Sequence, residues 1–159
     1  MYMTNRPVQP KAASSGFTLI ELMVTLLIAS ILLTVAVAAY QSQIRKSRRT
    51  EAKTALLDIA GREEALYGTT NAYGSTPASI GYGTSTGAFT GLSVGSGYYQ
   101  VTVQVTAGTA TVPTQFTATA TPVVGMGQDE DSSCASFSVD NKGVQSALDA
   151  SGAATSNCW

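Results

Sequence analysis

Glu21 is a carboxylate at the front edge of an apolar run, and residues 22–40 after it carry no charge. Such a run is close to the roughly 20 residues a helix needs to cross a bilayer. An ionised side chain in a span of this kind costs on the order of 2.5–3.5 kcal/mol at its centre and less near its end. Glu21 is therefore a functional candidate that needs a partner. Elsewhere, Gly91-Leu92-Ser93-Val94-Gly95 has the spacing of a serine hydrolase's nucleophile elbow. The chain has no histidine, so the usual triad lacks its base and hydrolase chemistry is not expected.

Asp129, Asp131 and Ser133 alternate like the first ligands of a calcium loop, and Asp140 stands where the last acidic ligand would be. Cys134 occupies the position that needs glycine. The three aspartates are weak metal candidates at most, and a solvated acidic turn is the plainer reading. Cys134 and Cys158 have one possible pairing. In an exported chain they form a disulfide, worth about 3 kcal/mol by chain entropy; in the cytosol they would be free thiols. No nucleotide loop and no zinc spacing is present, so neither an enzyme nor a cofactor is expected.

The elements that must position these residues follow from patterning. With 159 residues the chain holds one domain plus an anchor. After the charge-free run come Arg45, Lys46, Arg48 and Arg49. Then Ala52, Ala55, Leu56, Ile59, Ala60 and Leu66 recur at mostly helical spacing, with Lys53, Asp58, Arg62 and Glu63 between them. Phe17 to Leu66 contains no proline, which predicts one long helix, with Gly61 a place for a bend and Gly68 a C-cap. Residues 68–97 are rich in Gly, Ser, Thr and Tyr and predict a functional surface loop or a stretch of short irregular elements. Strands are predicted where Tyr99, Val101, Val103 and Val105 alternate with polar residues, and likewise for Phe116, Ala118 and Ala120 and for Ala135, Phe137 and Val139. Asp140-Asn141-Lys142-Gly143 predicts a turn into a short fourth strand around 144–148. One-sided strands imply an antiparallel sheet with one buried face, and the helix's apolar stripe is the cover at hand.

The N-terminal order is unlike an ordinary secretory signal, which is cut after its apolar stretch. Here a polar start with Arg6, Lys11 and no acid ends at Gly16, and the apolar run comes after it. Gly16-Phe17-Thr18-Leu19-Ile20-Glu21, followed by Leu22-Met23-Val24, resembles the prepilin signal of type IV pilins and pseudopilins. The resemblance implies cleavage after Gly16 by a membrane peptidase and N-methylation of Phe17. It further implies that Glu21 serves assembly by pairing with a neighbouring subunit's N-terminal amine. Ser30 and Ala38 stand where many members have Gly and Pro, so the helix lacks those breakers. Counting Lys and Arg alone would put the C-terminal part in the cytoplasm; the motif places it on the opposite side.

The fold implied is α+β, the type IV pilin fold: a long N-terminal helix on an antiparallel sheet of about four strands. Its parts would be a leader (1–16), a transmembrane helix (17–40), an amphipathic helix half (41–67), an αβ-loop (68–97) and a sheet with a disulfide-bounded C-terminal region (98–159). Among relatives the chain looks most like minor pilins of the PilE type. A minor pilin taking part in pilus assembly is the first expectation, with a major pilin or a type II secretion pseudopilin as alternatives. The implied partners are other pilins, the prepilin peptidase, an inner-membrane assembly platform and, before assembly, the inner membrane itself. The head would face the periplasm and then the cell exterior. A single-span binding protein that never polymerises is the rival from another class. Nucleic acid is not an expected partner: residues 54–159 hold only Arg62 and Lys142 against eight acids, a balance that repels phosphate.

Overall fold

The computed structural model describes residues 16–110 and 113–159. Apart from Gly16, the leader expected over 1–16 lies outside the described residues. The chain divides into two compact units after Tyr40. Helix α1, Leu19–Thr70, contributes residues to both.

In the first unit, residues 16–40 are exposed throughout. No proline or glycine interrupts α1 there. Thr18 caps it, its Oγ1 accepting the Glu21 N–H at 3.3 Å, and Glu21 is the acidic residue of the first turn. A carboxylate there is favourably placed toward the positive end of the helix dipole. The hydroxyls of Thr25, Ser30 and Thr34 donate to carbonyls three residues earlier at 2.7–2.9 Å. With those bonds made, the polar side chains are satisfied without water, as a helix in lipid requires. By length and composition α1 is able to cross a membrane.

In the second unit, Gln41–Trp159, the rest of α1 covers a five-stranded sheet. The strands are β1 Leu92–Val94, β2 Tyr99–Thr106, β3 Gln115–Pro122, β4 Ser136–Asp140 and β5 Gln145–Leu148, paired antiparallel in chain order. Burial alternates along β2, β3 and β4. Tyr99, Val101 and Val103 of β2, Phe116, Ala118 and Ala120 of β3, and Phe137 and Val139 of β4 form one core with Ala52, Leu56 and Ile59 of α1. A one-turn 3-10 helix, Pro77–Ile80, and Phe89 close the core under the αβ-loop.

This is the α+β pilin fold, with one strand more than the sequence pattern predicts. Strand β1 is three residues long inside a Gly/Ser-rich stretch, and only Val94 of it is buried, so it leaves no alternation to read. The helix also outruns its expected cap. Gly68 lies inside α1, and Asn71, at φ 57°, makes the left-handed turn, its N–H donating to the Tyr67 carbonyl at 2.8 Å. Asn takes that conformation at modest cost. Cys134 and Cys158 are joined as a disulfide with Cα atoms 5.8 Å apart, tying the start of β4 to the chain's last residues.

Candidate functional site: the basic face of the head helix

The five cations between Arg45 and Lys53 lie on one stretch of α1, and most of them hold loops of the head rather than projecting freely. Arg49 makes the strongest contact. Its Nε and Nη2 donate to the two Asp131 carboxylate oxygens at 2.6 Å each, with Asp131 only 5% exposed. Planar two-point pairing of this kind is the strong form of the interaction. Asp131 also accepts from Gln128 Nε2, which donates to the Tyr99 hydroxyl as well. Burial, first among several causes, pushes the Tyr99 phenol above its ordinary value.

Arg48 lies 3.4 Å above the centre of the Tyr98 ring, a cation–π contact. Arg45 reaches Glu130 at 3.0 Å, but Glu130 is largely exposed and the pair contributes little to stability. Lys53 Nζ donates to the Cys158 carbonyl at 3.1 Å. Glu51 accepts the Ser96 N–H and hydroxyl at 3.0 and 3.1 Å. That approach explains Gly95: its φ is 55°, and a Cβ there would sit 2.7 Å from Glu51 Oε2. The β1–β2 turn, the β3–β4 loop and the C-terminal segment are thus all pinned to one helical stretch. The basic run thus acts as a clamp on the head's loops.

A second cluster sits near the end of α1. Glu63 is fully buried; its Oε2 accepts the Gly74 N–H at 2.7 Å, while Oε1 has no hydrogen-bond partner. Burial, opposed in part by the Gly74 bond, raises its pKa. Next to it the Tyr73 hydroxyl donates to Glu64, and burial followed by that bond pushes the phenol up to about 12.

The other candidates separate. Glu21 is exposed and has no ionic partner among the described residues, and Gly16 and Phe17 are exposed as well. The aspartates proposed as weak metal ligands serve three different ends. Asp129 accepts the Gly125 N–H, which with other backbone donors holds its carboxyl low. Asp131 is taken by Arg49. Asp140 caps its own turn, accepting the Lys142 and Val144 N–H groups at 2.9 Å each. No group of three potential metal ligands forms among the described residues. Ser93 lies within strand β1 opposite Gln100, not at a strand-to-helix turn, so the elbow spacing is a coincidence of sequence.

The chain thus carries an exposed apolar helix with an acid in its first turn, and a head in which Arg45, Lys46, Arg48, Arg49 and Lys53 gather on one stretch of its helix. Two family models match it. One, described as "Type IV minor pilin ComP, DNA uptake sequence receptor", covers residues 38–138. The other, described as "Prokaryotic N-terminal methylation motif", covers residues 11–37. No curated protein matches the chain.

Proposed function

Since the chain belongs to the family of the type IV minor pilin ComP, a DNA uptake sequence receptor, we propose that it is the minor pilus subunit whose head captures DNA for uptake. One observation carries the reading: the methylation motif over 11–37 runs directly into the receptor-family match over 38–138. An assembly signal and a receptor head therefore stand in the order a pilus-borne receptor needs.

Under this reading the leader is removed after Gly16 by the prepilin peptidase, and Phe17 becomes a methylated N-terminus. The mature chain waits in the inner membrane through residues 17–40 before entering the fibre, with its head outside the cytoplasm. Glu21, exposed and without an ionic partner among the described residues, pairs there with the N-terminal amine of a neighbouring pilin. In an apolar fibre core an unpaired charge is strongly penalised, so the pair enforces register. The uniformly exposed apolar surface of residues 16–40 is covered first by lipid and then by neighbouring helices.

DNA as a partner departs from the expectation drawn from the head's net charge. Net charge sets the far field, whereas binding depends on which cations stand uncommitted and together. The test is a gene deletion. Cells lacking the chain should keep visible pili and lose uptake of external DNA, with recovery on complementation. Unchanged uptake in the deletion strain overturns the reading.

A further inference from the structure

We infer that a phosphate group of the DNA backbone seats in the small cleft between the basic helix face and the chain's last residues, held by Lys46 and Lys53 beside Trp159. The inference rests on the receptor reading above and adds to it a place on the surface. The cleft has a volume of about 240 Å³ and is lined by Lys46, Arg49, Lys53, Asn157 and Trp159, among others. Lys46, Arg49 and Lys53 stand three and four positions apart, so they share one stripe of α1.

Elimination narrows the choice of cations. Residues 63–141 contain neither Lys nor Arg, so β1 to β4 and the loops joining them offer none. Arg45, Arg49 and Arg62 are paired to Glu130, Asp131 and Asp58. Arg48 lies on Tyr98. Lys142 stands by itself on the β4–β5 turn. Lys46 and Lys53 remain: neither has an ion-pair partner among the described residues. Lys46 is exposed. Lys53 gives one N–H to the Cys158 carbonyl, and an ammonium has two more to give.

The far wall is fixed in place. Cys158 is disulfide-bonded to Cys134. The Trp159 indole donates to the Ser146 carbonyl at 2.6 Å and meets Phe137 edge-on, with ring centres 6.0 Å apart. A seat between pinned walls loses little entropy when it is filled. Trp159 is the chain's sole tryptophan, so its emission reports on this cleft directly.

The test uses the full chain in detergent micelles, titrated with a short DNA duplex at several salt concentrations. Wild-type binding should change Trp159 emission. Lys46→Gln with Lys53→Gln should weaken binding, abolish the emission change and lower the log–log salt slope by about 0.9, the contribution of one phosphate contact. Lys46→Glu alone, at an exposed side chain with no ion-pair partner among the described residues, should weaken binding without lowering the melting temperature. Lys142→Gln should leave the slope as it is. If the wild type binds DNA and the double variant keeps its slope and its emission change, the cleft is overturned while the receptor reading stands. If the wild type binds no duplex, the receptor reading falls and the cleft with it. A change in Trp159 emission with anionic phospholipid vesicles but not with DNA assigns the cleft to lipid and likewise overturns the inference.

Discussion

Residues 16–40 and Gln41–Trp159 differ most in what satisfies them. In the first, every large apolar side chain is exposed and the hydroxyls of Thr25, Ser30 and Thr34 are satisfied locally, by carbonyls a turn away, which leaves Glu21 as the side chain that looks outward for a partner. In the second, apolar side chains are buried against the sheet, and the polar ones are satisfied by partners far along the chain. Arg49 and Asp131 are 82 residues apart, Lys53 and Cys158 105. The first region is a folded element without a fold of its own, finished by lipid or neighbouring subunits. The second is complete in itself. Substitutions in the head should therefore change its stability, and substitutions in the apolar segment should change assembly while leaving head stability alone.

The largest expected effect within the head is loss of the disulfide. Replacing Cys134 and Cys158 together by Ser should lower unfolding free energy by about 3 kcal/mol, read by denaturant titration, without affecting membrane insertion. An unchanged midpoint would mean that the C-terminal segment is held by packing alone. Gly74→Ala comes next. A Cβ there would meet Ser79 Oγ and, at 2.7 Å, Ile80 Cγ2, in a buried position. Overpacking of this kind costs about 1–3 kcal/mol. It should appear as a lower melting temperature of the head.

The smallest effect is one of pH. Glu63 is buried, faces the Gly74 N–H and the Glu64 charge, and has its pKa raised above the ordinary 4.5. The folded state therefore holds this proton more tightly than the unfolded state. Its stabilising contribution is full below about 4.5 and is lost as pH rises through the folded value. Glu63→Gln keeps an oxygen for the Gly74 N–H and removes the titration. Melting temperature measured against pH should fall less over that window in the variant than in the wild type; identical profiles would refute the assignment.

The same division sets how much was legible in the sequence. The apolar span, Glu21 at its edge and the Gly16-Phe17 junction are local patterns and can be read directly. Strands β2, β3 and β4 show as alternation, and β5 announces itself through the Asp140–Gly143 turn. Strand β1 does not, because it is short and has one buried residue. The helix end at Asn71 is masked in the sequence by Gly68, a better cap by residue type that lies inside the helix. The clamp could not be read at all: nothing near Arg49 in sequence points to Asp131. The nearest signal is compositional, a dense run of cations followed by a long stretch with none. The expectation against DNA rests on the summed charge of the head, which takes no account of which cations are already paired.

The most direct test of the whole account is mass spectrometry of sheared surface fibres, comparing wild type, Glu21→Ala and a strain without prepilin peptidase. The wild-type chain should be present at low abundance and begin at methylated Phe17. The Glu21→Ala chain should be cleaved but missing from fibres and kept in the membrane, and the chain in the peptidase mutant should be uncut. Normal incorporation of Glu21→Ala, or a wild-type chain that stays in the membrane with residues 1–16 attached, would contradict it.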